Sequence, residues 1–217
     1  MPERTIVRES LRAPAVHIAR GILRALERYT PAWVVCLEIR ILYRTTARAF
    51  GVPEKKIPLW SAGQALRVRD VRQALRTGFA GQTLRNGYAE QALRDYAAYS
   101  ARCLKRCKAD PGRIYREAYR TGERVRRLTG FTEMADLERL VFYLYRNIGI
   151  LMDGHLPGEI KVSSCYFSRF YTPEQCALMS YMDSGIIAGI LGGGKIEFTE
   201  RITEGCGGCK AFFVDNA

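Results

Sequence analysis

Helix signals dominate the first 150 or so residues of this chain, and after Gly154 a two-residue alternation of apolar and polar positions joins them. Thr30 before Pro31 is an N-cap and first-turn proline, and Phe50-Gly51 with Pro53 beyond is a stop, so residues 31 to 50 are predicted as a helix. Asp110-Pro111 repeats the start signal ahead of a helix ending at Gly130, and Thr132 opens "EMADLERLVFYLYRNIGILM" as another, carried to Met152. Residues 61 to 108 read as two or more helices with Gly78, Gly81 and Gly87 as breaks, and Pro14 interrupts the first helix or ends its opening turn. "GEIKVSSCYFSRFY", rich in β-branched and aromatic residues, predicts a strand. Thr172, Pro173 and Gln175 form a capping box before a helix closed by the glycines of "GILGGGK". In "KIEFTERIT", Ile196, Phe198 and Ile202 alternate with Lys195, Glu197, Thr199 and Arg201, as in a half-buried strand, with "CKAFFV" as its hairpin partner. The expected fold is α+β: a helix-rich N-terminal region, 1–110, packed on a short antiparallel sheet carried by an α+β region, 111–217.

The length of 217 residues and a hydrophobic content of 47% are enough for a proper core without disulfide staples. The N-terminus is charged from its third residue and has no apolar run before a cleavage site, so a cytoplasmic protein is expected. The best apolar run, Trp33 to Tyr43, is broken by Glu38 and Arg40 and is too short to span a membrane. Seven cysteines without an export signal read as thiols that are buried, ligating or reactive.

Charge is unevenly placed: of the net +12, residues 1 to 150 carry +15 and residues 151 to 217 carry −3. Arg4, Arg8 and Arg12, then Arg20, Arg24 and Arg28, then Arg40, Arg44 and Arg48 follow four-residue spacing, each trio along one helix face. Nucleic acid, anionic lipid or an acidic partner would all meet such a surface, and a solvated outer face is the plainer reading. Nucleic acid is disfavoured, because no aromatic interleaving or zinc-finger spacing accompanies the arginines.

Several stretches invite chemistry and decline it. Gly189 to Lys195 fits the phosphate-loop string, but a helix precedes it, a strand follows it and Ile196 stands where a hydroxyl should hold magnesium. Cys103 and Cys107 are two thiols without further ligands, Cys36 lies in an apolar run, and His17 and His155 are too far apart to read as a pair. What remains is Cys165, Cys176, Asp183, Glu204, Cys206 and Cys209. Cys176 and Asp183, seven apart, share a helix face, and strand parity turns Glu204 and Cys209 inward. Cys165 goes with Lys161, away from Ile160 and Val162, unless a bulge re-aims it.

Three readings stay open. The thiols and Glu204 hold zinc or, less favoured, an iron-sulfur cluster, with Cys165, Cys176, Glu204, Cys206 and Cys209 as the ligand set. Alternatively Cys176 or Cys209 is a nucleophile, with Asp183 and Glu204 moving protons. In the third reading the cysteines are small hydrophobes of a buried hairpin.

The order of Cys165, Cys176 with Asp183, "ERITEG" and "CKAFF" resembles the L-2-amino-thiazoline-4-carboxylic acid hydrolase family. It is also similar to the 4-vinyl reductase-type small-molecule-binding domain, related to TRAPP subunits, with "SGIIAGIL" resembling its glycine-punctuated helix. The resemblance covers residues 115 to 214. It implies an α+β fold enclosing a small-molecule pocket, with Cys176, Glu204, Cys206 and Cys209 in the positions where some members hold zinc. Hydrolysis of a C–N or C–S bond in a small cyclic or amidine-like compound is the activity it implies, and a non-enzymatic ligand-binding or sensor module with a structural metal is the alternative. The expected partner is a small-molecule ligand or substrate, with homodimerisation left open.

Overall fold

The computed structural model describes residues 3–52, 80–107 and 110–214, so the breaks predicted within 53–79, Gly78 among them, lie outside the described residues. Among them six α-helices pack with a four-stranded antiparallel sheet in the C-terminal part, as the α+β expectation requires. The helices are α1 (Glu3–Arg28), α2 (Ala32–Phe50), α3 (Ala80–Arg106), α4 (Pro111–Thr129), α5 (Met134–Asn147) and α6 (Pro173–Leu191). The strands are β1 (Ile150–Gly154), β2 (Glu159–Cys165), β3 (Lys195–Glu200) and β4 (Cys209–Val214), in the order β1-β2-β4-β3.

Most helix ends fall where their signals stand. Gly51 closes α2 and Gly130 closes α4 in the left-handed conformation, and Asp110 Oδ1 accepts from Gly112 N at 2.9 Å to open α4. Thr172 and Gln175 complete their reciprocal box on α6, with Gln175 N donating to Thr172 Oγ1 at 3.3 Å and Thr172 N donating to Gln175 Oε1 at 3.1 Å. Three expectations need correction. Helix α1 runs through Pro14 without a break, and α3 runs through Gly81 and Gly87. Thr30 closes α1 by donating to Leu26 O at 2.8 Å, and Pro31 takes the cap position of α2. The helix opened near Thr132 stops at Asn147, because Gly149 takes φ +76° and the next residues become strand β1. Gly149 is forced on that corner: a Cβ there would stand 2.8 Å from Cβ of Tyr166, whose N–H bonds to Gly149 O.

Among the described residues, helices α4 and α6 share the most extensive contact, and glycine permits it. A methyl at Gly122 would fall on Ile186 O, one at Gly185 on Tyr115 O and one at Gly189 on Tyr119 O. The glycines of "SGIIAGIL" thus lie backbone to backbone with α4. Burial follows: Ile187, Ala188 and Ile190 are sealed, as are Ile114 and Ala118 opposite. Ser184 Oγ then accepts from Ile196 N at 2.7 Å, tying α6 to β3. One apolar cluster continues from Leu23 and Ile39 through Ile114, Leu137 and Ile187 to Ile160 and Ala211, crossing residue 110 without interruption.

The sheet carries the irregularity that matters most. Leu151 pairs with Ser164 and Met152 with Val162, leaving Ser163 as an extra residue on β2. Val162 faces the core, Ser163 and Ser164 are both exposed, and Cys165 turns back inward. A second slip, between Phe198 and Glu200 against Ala211 and Lys210, ends β3 early, and residues Ile202–Glu204 form a 3-10 turn.

Candidate functional site

Asp183 stands in the middle of α6, on the side that faces β2, β4 and α5. Protein surrounds its carboxylate, yet the residue keeps partial solvent contact. Desolvation raises its pKa from the ordinary carboxylate range to about 6, against a smaller lowering by the hydroxyl of Tyr145, which donates to Oδ1 at 3.1 Å. Tyr145 itself is buried on α5, and burial together with the neighbouring carboxylate holds its phenol far above the usual range.

Three thiols lie within the electrostatic reach of that carboxylate. Burial pushes Cys165 up to about 12, and Asp183 and Cys209 add to the rise. Burial likewise raises Cys176, opposed by a hydrogen bond from the Thr203 side chain, and Asp183 raises it further. Cys209 is raised by burial, opposed by Ile202 N–H, which donates to its Sγ at 3.5 Å, and raised again by Cys176 and Asp183. All three cysteines are half-buried, Cys165 on β2, Cys209 on β4 and Cys176 on α6. Beyond the carboxylate the wall is phenolic: Tyr96 and Tyr171, both buried, feel Asp183 and bond to Thr46 at 3.0 Å and to Ser100 at 2.6 Å.

Arg201 supplies the nearby cation. Its side chain is only 18% exposed, its Nη1 meets Glu204 Oε1 at 3.2 Å, its Nε reaches Ser180 Oγ at 3.4 Å, and its guanidinium lies 5.4 Å from the centre of the Phe198 ring. It lowers the pKa of both Cys176 and Cys209, too weakly to offset burial. Thr203 Oγ1 is buried, and the Cys176 thiol is its neighbour.

Asp183 thus acts electrostatically on Cys165, Cys176 and Cys209, and Glu204 also acts on Cys176. Glu204 was expected inward by continuing the strand alternation, but the 3-10 turn breaks that parity, and its carboxylate is 40% exposed and pairs with Arg201. Cys206 lies half-buried in the loop after Gly205. Cys165, expected outward by simple alternation, points in because of the bulge at Ser163. Among the described residues no three His, Cys, Asp or Glu side chains come together as a metal site, so the expected set of Cys165, Cys176, Glu204, Cys206 and Cys209 is not assembled as one.

The remaining candidates have ordinary surroundings. His155 is exposed on a loop with Nδ1 3.9 Å from Glu138, and His17 is exposed on α1. Cys103 is buried and Cys107 and Cys36 half-buried, with burial raising Cys36 and Cys103. Gly192 caps α6 and β3 follows, so "GILGGGKI" is a helix end. Sequence reasoning missed Tyr145, Arg201 and Thr203. Tyr145 sits among apolar residues of "FYLYRN" with nothing to separate it from Tyr143, and Arg201 took the outward place in an alternation that stops one residue before it.

Comparison with protein-family models, with curated proteins and with solved structures finds no match to this chain.

Proposed function

We propose that this chain binds a small organic molecule beside Asp183 and hydrolyses a C–N or C–S bond in it, with Asp183 as the group that moves the proton. One observation carries the reading: a carboxylate with a pKa of about 6, packed among protein but not sealed, and oriented by a buried phenol. A general base works best when its pKa lies near the working pH, and burial of a carboxylate is a physical way to bring it there. The resemblance to the thiazoline-carboxylate hydrolase type supplies the bond class.

The thiols shape the role of water in this reading. Nucleophilic cysteines require a lowered pKa, and Cys165, Cys176 and Cys209 are all raised, so they stay protonated at neutral pH and form a soft, polarisable wall. Water is then the nucleophile. Asp183 takes one proton of water as its oxygen adds to the C=N carbon and returns it to the imine nitrogen. As the C–N or C–S bond then breaks, the remaining hydroxyl proton passes through the same carboxylate to the departing nitrogen or sulfur and a carbonyl forms.

Incubation with a panel of small cyclic imines, thiazolines and amidines tests it. Turnover is expected to rise with pH through about 6 as Asp183 ionises, and Asp183→Asn should reduce kcat by roughly a hundredfold or more. Tyr145→Phe removes a hydrogen bond to the ionised form and should move the inflection upward. Cys209→Ser should keep most of the activity. Full activity in folded Asp183→Asn, or the absence of both turnover and thermal shift across the panel, would count against the assignment.

A further inference from the structure

The arginine periodicity of the N-terminal helices has no part in the site beside Asp183, and the structure shows what accompanies it. On α1, Ile18 is 64% exposed and Ile22 is 55% exposed, while on α2 Trp33 is 57% and Leu37 is 49% exposed. Burying rather than exposing such side chains is the norm, and four of them in twenty residues form a patch. The positions are ordered. Trp33, Leu37, Arg40 and Arg44, at intervals of four, three and four residues, lie along one face of α2, away from the buried Ile39, Thr46 and Ala49. Ile18 and Ile22 form a similar line on α1, with the exposed Arg24 and Arg28 further round the same helix, and only residues 29–31 separate the two helices.

The inner flank of α1 is engaged differently. Arg20 binds Asp136 and Glu133 at 2.6 Å each, and Glu27 binds Arg139, so these charges hold α1 against α5. The outer cations and the apolar line are what α1 and α2 present outward. On α2 the exposed apolar pair is continued on the same face by Arg40 and Arg44, a composition suited to an interface, where indole and leucine enter the headgroup boundary while guanidinium groups reach anionic lipid. The excess of +15 over residues 1 to 150 complements such a surface. Nucleic acid is the poorer match, because phosphate would face the apolar line itself.

We propose that the outer face of α2 docks on an anionic membrane surface, laying Trp33 and Leu37 against the lipid with Arg40 and Arg44 at the headgroups. Nothing spans the bilayer in this arrangement, in keeping with the absence, among the described residues, of a helix long and apolar enough to cross one.

Co-sedimentation of the full chain with vesicles tests it. Vesicles of phosphatidylcholine with about one-third phosphatidylglycerol should bind the protein, pure phosphatidylcholine should bind about tenfold less, and added salt should weaken binding. Trp33→Ser with Leu37→Ser, and separately Arg40→Glu with Arg44→Glu, should each lower binding about tenfold while circular dichroism stays native. The charge-reversal pair keeps the test decisive if the apolar pair misfolds. No preference for anionic vesicles, or equal binding by both folded variants, overturns the proposal. So does a wild-type dimer that Trp33→Ser with Leu37→Ser splits into monomers, which would make this face a contact between copies.

Discussion

Asp183 is a residue that weakens the fold in order to exist as a buried carboxylate. Its pKa is about 6 against an ordinary value of 3.8, so the folded chain holds the proton more tightly than the unfolded one. Stability from this group is therefore fully present below pH 4 or so and is lost as pH rises through about 6. Replacement by the neutral isostere should remove that loss. Asp183→Asn is expected to unfold at a higher denaturant concentration than the parent at pH 8, by up to about 3 kcal/mol, and to gain little at pH 4. Equal stability of the two at pH 8 would mean that the carboxylate is better solvated than its surroundings indicate. The identity of this residue was legible in the sequence, since Cys176 and Asp183 stand seven apart on a helix. Its partner was not: Tyr145 lies 38 residues away, and only the packing of α5 on α6 brings the hydroxyl to Oδ1.

At the scale of elements, α6 decides where the site stands, and glycine decides how deep α6 lies. Gly122, Gly185 and Gly189 let two backbones meet where any side chain would collide with a carbonyl. Alanine at Gly185 or Gly189 should destabilise the chain by about 3 kcal/mol or more, because backbone on both helices must move apart. Gly193→Ala, at a position with open space and no positive φ, should change stability by less than about 0.5 kcal/mol. Chemical denaturation of the three variants separates the outcomes, and a similar cost at Gly193 would show that chain flexibility, not close approach, explains the effect. The capping box of α6 and the glycine stops of α2 and α4 were readable because those signals act within one turn of helix. Strand β1 and the bulge at Ser163 were not, because pairing between Ile150–Gly154 and Glu159–Cys165 is settled across the strands.

For the whole molecule, a second buried acid joins Asp183. Glu38 on α2 is raised to about 8 by burial, opposed by Asn147 Nδ2, which donates to Oε1 at 2.9 Å, and its Oε2 has no partner. Both groups are raised, so both contribute stability on the acid side and lose it as pH rises, Asp183 by about pH 6 and Glu38 by about pH 8. Thermal unfolding should therefore occur at a lower temperature at pH 9 than at pH 6, and Glu38→Gln should flatten that decline. A melting temperature that climbs from pH 6 to pH 9 in the parent would contradict it. The amino-acid sequence by itself determined what short-range chemistry can determine: helix starts and stops, the antiparallel hairpin of β3 and β4, the α+β class, and the short list of thiols and carboxylates. The tertiary structure alone decided which of them meet. A bulge turned Cys165 in, a 3-10 turn sent Glu204 out to Arg201, and the approach of α5 set Tyr145 on Asp183. The first and last depend on contacts between separate elements, where in a sheet a one-residue shift of register reverses the direction of a side chain while leaving its local sequence unchanged. The turn at Glu204 is a local break in an alternation that the residue types alone would have continued.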